Sequence, residues 1–317
     1  MKISACIVAK NEELNLPRLL KSIDGLFHEI ILVDTGSTDN TIEIARDYGC
    51  KVYKKDWQGM ADARNFGILK VSGDWIWHFD ADFELENPND VEKVKEIIQK
   101  ESPDIISIFY RNLTIYGRDS FVERRMIHRK DKNLYWIKPV HENLILPKGI
   151  RIARSDVKIK HYGYFTQDIL FEKTKGYLKY LSQNFKDCYD FVYLIKSLFI
   201  LSFVDKNYIN EFFKFHSRFI KVCNPTFLDF LYAVNLLVFN QKIEQAMLLL
   251  EMNKSFSGRF YYEFFRAIAE YESGQYDISR QRFLKCKKYP EEDIYIYPFS
   301  LLYDPLKIID YYLQKLQ

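Results

Sequence analysis

The stretch WIWHFDADFE (residues 75–84) runs from an apolar segment directly into two acids one residue apart. Apart from His78, its first five residues are aromatic or β-branched, which is typical of a buried strand. Asp80 and Asp82 follow at the point where this strand should leave the core, and the small Ala81 between them leaves room for a ligand near the backbone. Because an unpaired buried carboxylate is costly, the pattern predicts a ligand site at the end of a buried strand.

Strand-like and helix-like segments alternate on both sides of this stretch. Apolar β-rich runs occur at residues 2–9, 29–34, 51–54, 74–80 and 104–110, with helix-like segments between them. This alternation predicts a mostly parallel sheet covered by helices on both faces, hence an α/β fold. From about residue 111 to 162 the pattern changes to short strands and turns, which predicts an α+β cap on that sheet.

The second half of the chain has no convincing strand pattern, and it repeats with a period of 34 residues. The aligned positions are Tyr208, Lys242 and Tyr276, and seven residues later Phe215, Leu249 and Phe283. This is the length of a tetratricopeptide helix–turn–helix unit, although an ordinary helical bundle remains the alternative. We therefore expect a catalytic domain at 1–165, a linker helix at 166–189 and a tetratricopeptide-like helical domain at 190–317.

The composition limits which classes of function are possible. The chain has 317 residues, is 48% hydrophobic and carries 46 basic against 43 acidic residues, so the balanced charge argues against a nucleic-acid partner. Five widely spaced cysteines (6, 50, 188, 223 and 286) favour buried, reduced thiols. The apolar run at 193–204 contains Lys196 and is too short to span a bilayer, so we expect a cytoplasmic protein, with peripheral contact at the inner membrane face left open.

Acids at two strand ends indicate the chemistry. Asp34 ends the second strand and is followed by TGSTDNT, a glycine turn leading into a helix N-terminus with free N–H groups. In open parallel sheets, ligands bind beyond the carboxyl ends of strands. Asp80 and Asp82 are hard oxygen ligands that suit Mg²⁺ or Mn²⁺ shared with substrate phosphates. The pattern predicts a nucleotide-diphosphate site, although each acid taken alone could be a turn or cap residue.

Four motifs in order carry a family resemblance: CIVAKNEE (6–13), LVDTGSTDNT (32–41), ADARNFGILKVSGDWIWHFDADFE (61–84) and KPVHENL (138–144). Over residues 1–165 the chain resembles family 2 glycosyltransferases with a GT-A fold. The likeness is greatest to the bacterial branch of lipopolysaccharide-core β-glucosyltransferases and bacteriocin-peptide S-glycosyltransferases. The resemblance implies a Rossmann-like mixed sheet, a UDP-sugar donor, a divalent metal and inversion at the anomeric carbon.

The resemblance also implies roles for individual residues. The residues implied at the UDP moiety are Ala9, Glu12, Asp34, Arg64, Asp80 and Ala81. Asp82 and His161 are implied as metal ligands, and Glu142 is implied as the base that takes the proton of the acceptor. One departure is Lys138-Pro139, where the family often has glycine before the VHE sequence, which leaves the path of that loop open.

Simpler interpretations of these residues remain open at this stage. Arg64 could make a salt bridge on a helix surface, and His161 could be a packed or surface histidine. The alternative for Glu142 is an ion pair with a nearby arginine, the candidates being Arg124, Arg125 and Arg129. Glu84, two residues after Asp82, could contribute sugar contacts.

The expected activity is transfer of a hexose from a donor of the UDP-glucose or UDP-GlcNAc type to a saccharide or lipid-linked saccharide. The alternative acceptor is a Cys, Ser or Thr side chain of a peptide, with the helical repeats binding it or forming a homodimer. A nucleotidyltransferase is less consistent with the sequence, because no Gly-rich phosphate loop occurs near residue 10. A non-enzymatic scaffold is disfavoured because the acids at positions 34, 80, 82 and 142 are all present.

Overall fold

The chain folds into two compact units, residues 1–165 and 166–317. The structure is a computed structural model, and it describes residues 1–113, 119–163, 166–184, 186–224, 226–290 and 299–316. Each unit has its own core and is described here by itself.

The N-terminal unit is built on a mixed sheet. The strands are β1 (Ile3–Ala9), β2 (Glu29–Asp34), β3 (Lys51–Lys54), β4 (Trp75–Asp80), β5 (Phe83–Leu85), β6 (Ile105–Asn112), β7 (Ser120–Arg129), β8 (Trp136–Ile137), β9 (Asn143–Leu144) and β10 (Ile152–His161). Among the described residues, the main sheet has the order β3-β2-β1-β4-β7-β6-β10-β5, and β8 and β9 form a separate pair. The α/β fold class with a Rossmann-like mixed sheet is therefore confirmed.

The expectation of a cap at residues 111–162 is wrong. β7 lies between β4 and β6 and is antiparallel to both, while β10 is parallel to β6 and antiparallel to β5. β7 and β10 therefore belong to the main sheet. β10 alternates buried and exposed residues along nearly its whole length. A half-buried strand of this kind carries charged residues on one face, so it lacks the continuous apolar run that marks β1, β2 and β4.

Helices pack against this sheet. They are α1 (Leu16–Ile23), α2 (Thr41–Asp47), α3 (Met60–Lys70) and α4 (Asp90–Glu101). α1 buries the apolar face that the sequence predicts, made of Leu16, Leu19, Leu20 and Ile23. Pro17 lies in its first turn, where its missing N–H has no intrahelical partner to lose.

The register of the central strands sets the position of the site. β4 is buried from Trp75 to Phe79, and its neighbour β1 aligns Val8 with Asp80. On its other edge β1 aligns Ala9 with Asp34, the last residue of β2. The carboxyl ends of three parallel strands therefore meet at one edge of the sheet.

The C-terminal unit is helical over its described residues. Its helices are α5 (Gln167–Asn184), α6 (Cys188–Leu201), α7 (Asn207–Val222), α8 (Phe227–Phe239), α9 (Ile243–Met252), α10 (Phe260–Glu272), α11 (Tyr276–Cys286), α12 (Phe299–Leu302) and α13 (Pro305–Lys315). Successive helices pack as the pairs α6–α7, α8–α9 and α10–α11. The repeat positions Tyr208, Lys242 and Tyr276 fall at the starts of α7, α9 and α11, which confirms the predicted helical hairpins. No described helix is long and apolar enough to cross a bilayer.

The cysteines correct one expectation. Cys6, Cys50 and Cys286 are buried free thiols, and burial raises the pKa of each to about 12. Cys188 and Cys223 instead form a disulfide. The cause is the antiparallel α6–α7 hairpin, which brings the start of α6 and the end of α7 together with a Cα–Cα distance of 5.7 Å. A separation of 35 residues does not reveal this proximity without the fold.

A buried histidine pair links β4 to β7. The Nε2 atoms of His78 and His128 lie 3.0 Å apart, so one ring donates a hydrogen bond to the other. His78 is therefore a packed cross-strand residue. Burial lowers the pKa of His128 to about 4, and burial together with the neighbouring His128 and Arg64 lowers the pKa of His78 well below its usual range.

This pair should make the stability of the N-terminal unit depend on pH. The unfolded chain takes up protons below about pH 6.5 while the folded pair stays neutral, so the free energy of unfolding falls as the pH decreases toward 4. His128 alone should account for a loss of about 2 kcal/mol between pH 7 and 5. Urea unfolding of wild type and His128→Asn at both pH values measures this difference.

The matched control is the exposed His28, whose replacement by Asn should leave the pH dependence unchanged. Equal pH dependence in wild type and His128→Asn would contradict the assignment.

Candidate active site

The turn after β2 is held by its own acid. The Asp34 carboxylate accepts the backbone N–H groups of Gly36 and Ser37, at 3.1 and 3.2 Å, and its side chain is almost fully buried. The Thr35 N–H donates to the Ala9 carbonyl at 3.0 Å. Asp34 therefore fixes the turn that lies beside the end of β1.

The loops after β1 and β2 are joined side by side. Asn11 accepts the Thr38 N–H at 2.8 Å, and the Glu12 N–H donates to the Thr41 hydroxyl at 2.7 Å. Of the residues predicted to lie at the UDP moiety, Ala9, Glu12 and Asp34 therefore lie at the same corner of the sheet. The Glu12 carboxylate also accepts from the Asn15 side chain at 2.8 Å.

The centre of the site is Arg64 on α3. Its Nη2 donates to Asp80 Oδ1 at 2.5 Å and to Glu142 Oε1 at 2.9 Å, and its Nε donates to the same Glu142 oxygen at 3.0 Å. Arg64 is 1% exposed. The guanidinium therefore joins the end of β4 to Glu142, which lies 78 positions after Arg64 in the chain.

Arg64 is stabilised as a cation by its two carboxylate partners. Burial alone would lower the pKa of Arg64, but the Asp80 and Glu142 carboxylates raise it above its ordinary value. Arg64 is therefore permanently charged. It is buried and paired, so it does not make the salt bridge on a helix surface that was the alternative. Glu142 pairs with this buried arginine, while Arg129 pairs with Asp131 instead.

The loop that carries Glu142 is anchored on α3. The Asn65 side chain donates to the Trp136 carbonyl at 2.9 Å and accepts the Trp136 N–H at 2.8 Å. The Met60 N–H donates to the Pro139 carbonyl at 2.8 Å. Gly59, with φ of +115°, lies so close that a Cβ there would be 2.3 Å from Pro139 Cβ.

Two residues of this loop adopt left-handed backbone conformations. Lys138 has φ of +74° and His141 has φ of +53°, a region that glycine occupies at least cost. The loop through Lys138-Pro139 nevertheless brings Glu142 to Arg64.

Asp82 and His161 form a second centre beside the first. Asp82 Oδ1 lies 3.6 Å from His161 Nε2, and both side chains are buried. The pairing of β5 with β10 aligns Phe83 with His161, and the Tyr162 N–H donates to the Asp82 carbonyl at 3.0 Å. The acid and the imidazole are therefore brought together by strand register.

Asn112 orients the imidazole. Its side-chain oxygen lies 2.6 Å from His161 Nδ1, and its Nδ2 donates to the Ser120 hydroxyl at 3.1 Å. With the amide oxygen placed toward His161, a proton on Nδ1 would leave the Nε2 lone pair directed toward Asp82. A lone pair and a carboxylate oxygen facing each other suit a shared cation.

The donor set fits a metal that is shared with a ligand. No group of three or more His, Cys, Asp or Glu side chains that could hold a metal occurs among the described residues. Asp82 and His161 alone supply two ligands, so further ligands must come from phosphates or water, as Mg²⁺ and Mn²⁺ sites commonly allow. The Glu84 carboxylate accepts hydrogen bonds from Lys160 Nζ at 2.8 Å and from the Tyr162 hydroxyl at 2.6 Å.

Sequence reasoning missed two residues of this site, Tyr110 and Asn112 on β6. They point to the same side of the sheet because residues i and i+2 of a strand share a face. Tyr110 packs its ring against Phe83 at 4.6 Å between centroids and against His161 at 6.1 Å. The alternation of side chains along β6 places these two residues on one face. The sequence does not identify the neighbouring strands of β6, so it does not show that this face meets the site.

Comparisons with known proteins indicate which family the first unit resembles. The family model described as Glycosyl transferase family 2 matches residues 4–159. An uncharacterized glycosyltransferase of Rickettsia typhi is 40% identical over 26% of this chain and 29% of its own length. A TPR repeat-containing protein of Synechococcus elongatus is 29% identical over 51% of this chain and 42% of its own length. The chain thus spans less than half the length of these relatives.

A solved structure is also similar over part of the chain. The crystal structure of glucosyl-3-phosphoglycerate synthase from Mycobacterium tuberculosis, in complex with Mn²⁺, UDP and glucosyl-3-phosphoglycerate, is 28% identical. The similarity covers 35% of this chain and 44% of that chain, with a TM-score of 0.31.

Gly59→Ala tests how the Glu142 loop is anchored. The new Cβ would collide with Pro139 and would also occupy an unfavourable φ, so we expect a loss of about 3 kcal/mol in the free energy of unfolding. Gly49→Ala is the matched control, since Gly49 has φ of +74° but nothing within 4 Å of its Cβ position. It should lose only about 1 kcal/mol. Equal losses in the two variants would show that the contact with Pro139 is not tight.

Proposed function

We propose that this chain, whose residues 4–159 match the glycosyl transferase family 2 model, transfers a hexose from a UDP-sugar to a saccharide or lipid-linked saccharide, with inversion. The proposal rests on one observation: three acids lie at one edge of the sheet, and they have different partners. Arg64 holds Asp80 and Glu142, while Asp82 lies beside His161. The donor would be of the UDP-glucose or UDP-GlcNAc type.

The UDP moiety would lie across the ends of β1, β2 and β4. Ala9, Glu12 and Asp34 lie at the corner where the loops after β1 and β2 are joined, which suits the uracil and ribose. Asp80, with Ala81 beside it, would face the ribose from the end of β4. The Asp80 side chain is 29% exposed, so it remains accessible while Arg64 holds one of its oxygens.

Asp82 and His161 would hold a divalent ion. A neutral imidazole with a carboxylate favours Mn²⁺ over Ca²⁺, and Mg²⁺ remains compatible with the carboxylate. When bound, the ion would stabilise the negative charge of the departing diphosphate. Asn112, whose side-chain oxygen lies 2.6 Å from His161 Nδ1, would keep His161 in the tautomer that such an ion requires.

Glu142 would act as the base. Both hydrogen bonds from Arg64 end on Oε1, which leaves Oε2 for the proton of the acceptor hydroxyl. As Oε2 takes that proton, the acceptor oxygen forms its bond to the anomeric carbon and the bond from that carbon to UDP breaks. Arg64 orients the carboxylate throughout and balances its charge.

The helical unit is the candidate for acceptor recognition. A groove of about 460 Å³ lies between α5 and α7, above Leu194 of α6. Its charged and aromatic lining residues are Lys175, Lys179, Lys214, Glu211, Tyr208 and Phe215. Three ammonium groups against one carboxylate make this lining positive, and with the aromatic rings it suits an anionic saccharide, which favours a glycan or lipid-linked glycan as the acceptor.

Asn112 variants test the metal site. Asn112→Leu removes the hydrogen bond that orients His161, and we expect the affinity for Mn²⁺ in the presence of UDP to fall roughly 10-fold or more. Asn112→Asp keeps an acceptor for His161 Nδ1–H and should restore most of the affinity. Isothermal titration with Mn²⁺ measures both, with Asp82→Ala as the variant expected to abolish binding. Wild-type affinity in Asn112→Leu would contradict the role of Asn112.

Glu142→Gln tests the base. The amide oxygen can still accept from Arg64, so binding of the UDP-sugar should be retained. Turnover should fall by about 10²- to 10⁴-fold, because the amide cannot take a proton. Hydrolysis of UDP-glucose and UDP-GlcNAc with Mn²⁺ provides the assay, and binding is measured separately.

Glu123→Gln is the control, since Glu123 pairs with Ser107 and Arg154 away from the Arg64 triad. Turnover that survives in Glu142→Gln would exclude Glu142 as the base. A wild-type protein with neither turnover nor Mn²⁺-dependent UDP binding would contradict the proposed function itself.

A further inference from the structure

The hydroxyl of Tyr110 is buried and has no hydrogen-bond partner among the described residues. Tyr110 is 7% exposed, and its ring is held edge-on against Phe83, the residue directly after Asp82. Leaving a buried hydroxyl unpaired is destabilising, so such a group calls for an explanation.

The surroundings of this hydroxyl are those of the reaction centre. Tyr110 interacts electrostatically with Asp80, Arg64, Arg124 and Glu142. Its ring also approaches His161, with 6.1 Å between centroids. Burial and the neighbouring Asp80 raise the pKa of Tyr110 well above its usual range, so the phenol stays neutral and can both donate and accept a hydrogen bond.

The position on the sheet indicates which part of a donor would reach it. The proposed uracil and ribose contacts follow β1 and β2, whereas Tyr110 lies on β6, which β4 and β7 separate from β1. Tyr110 lies near both the Asp82–His161 pair and Glu142. In the proposed reaction the transferred sugar ring lies between the leaving diphosphate and the base, so it is the part of the donor that would come near Tyr110.

We propose that the Tyr110 hydroxyl forms a hydrogen bond with a hydroxyl group of the transferred hexose. This inference rests on the proposed function and adds a residue that selects the sugar rather than the nucleotide. A polar group that is buried without a partner in the free protein discriminates strongly, because a sugar lacking the matching hydroxyl leaves it unpaired.

Tyr110→Phe should affect stability and sugar binding in opposite directions. The unfolding midpoint should stay unchanged or rise, because an unpaired buried hydroxyl is removed. Affinity for the UDP-sugar should fall roughly 10-fold, the value of one hydrogen bond, while affinity for UDP stays unchanged. The probes are UDP, UDP-glucose and UDP-GlcNAc, each titrated in the presence of Mn²⁺.

Tyr162→Phe is the matched control. The Tyr162 hydroxyl donates to Glu84 at 2.6 Å, so its removal should lower the unfolding midpoint. Monodeoxy analogues of the preferred donor complete the test. One of them should bind wild type and Tyr110→Phe equally well, which identifies the sugar hydroxyl that Tyr110 contacts.

Three results would overturn the inference while leaving the proposed function intact. They are a lower midpoint for Tyr110→Phe, an equal loss of UDP and UDP-sugar affinity, and no change in either affinity. A wild-type protein that binds neither UDP nor a UDP-sugar would overturn the proposed function, and the inference with it.

Discussion

The buried guanidinium of Arg64 is the interaction on which the geometry of the site depends. It joins Asp80, at the end of a buried strand, to Glu142, on a loop that Asn65 and Gly59 anchor to the same helix. A buried cation without partners would be strongly destabilising, and removing one partner of a buried ion pair typically costs about 3–5 kcal/mol. Each carboxylate is therefore needed to keep the other two groups in place.

This arrangement separates the roles of two acids that are almost adjacent in sequence. Asp80 is committed to Arg64, whereas Asp82 turns toward His161, which β10 supplies from the far side of the sheet. The question raised by a buried strand ending in two acids thus has a physical answer. One acid is neutralised by protein, and the other lies beside an imidazole whose lone pair suits a shared cation.

Much of the first unit could be predicted because its strands and helices carry strong local periodicity. β2 and β3 match the expected runs, and the apolar face of α1 is buried as predicted. The places of β7 and β10 could not be predicted, because their pairing joins distant segments. Contacts such as Arg64 with Glu142, His161 with Asn112, and the Cys188–Cys223 bond also depend on strand register or helix pairing, which spacing in sequence does not reveal.

The central claim is that Arg64 retains Asp80 and Glu142 while Asp82 and His161 remain for a metal. The most direct measurement is anomalous diffraction at the manganese edge from crystals grown with Mn²⁺ and UDP. The account predicts one peak at about 2.1–2.2 Å from both Asp82 and His161 Nε2, with Arg64 still bound to Asp80 and Glu142. A peak coordinated by Asp80, with Arg64 turned away from it, would contradict the account.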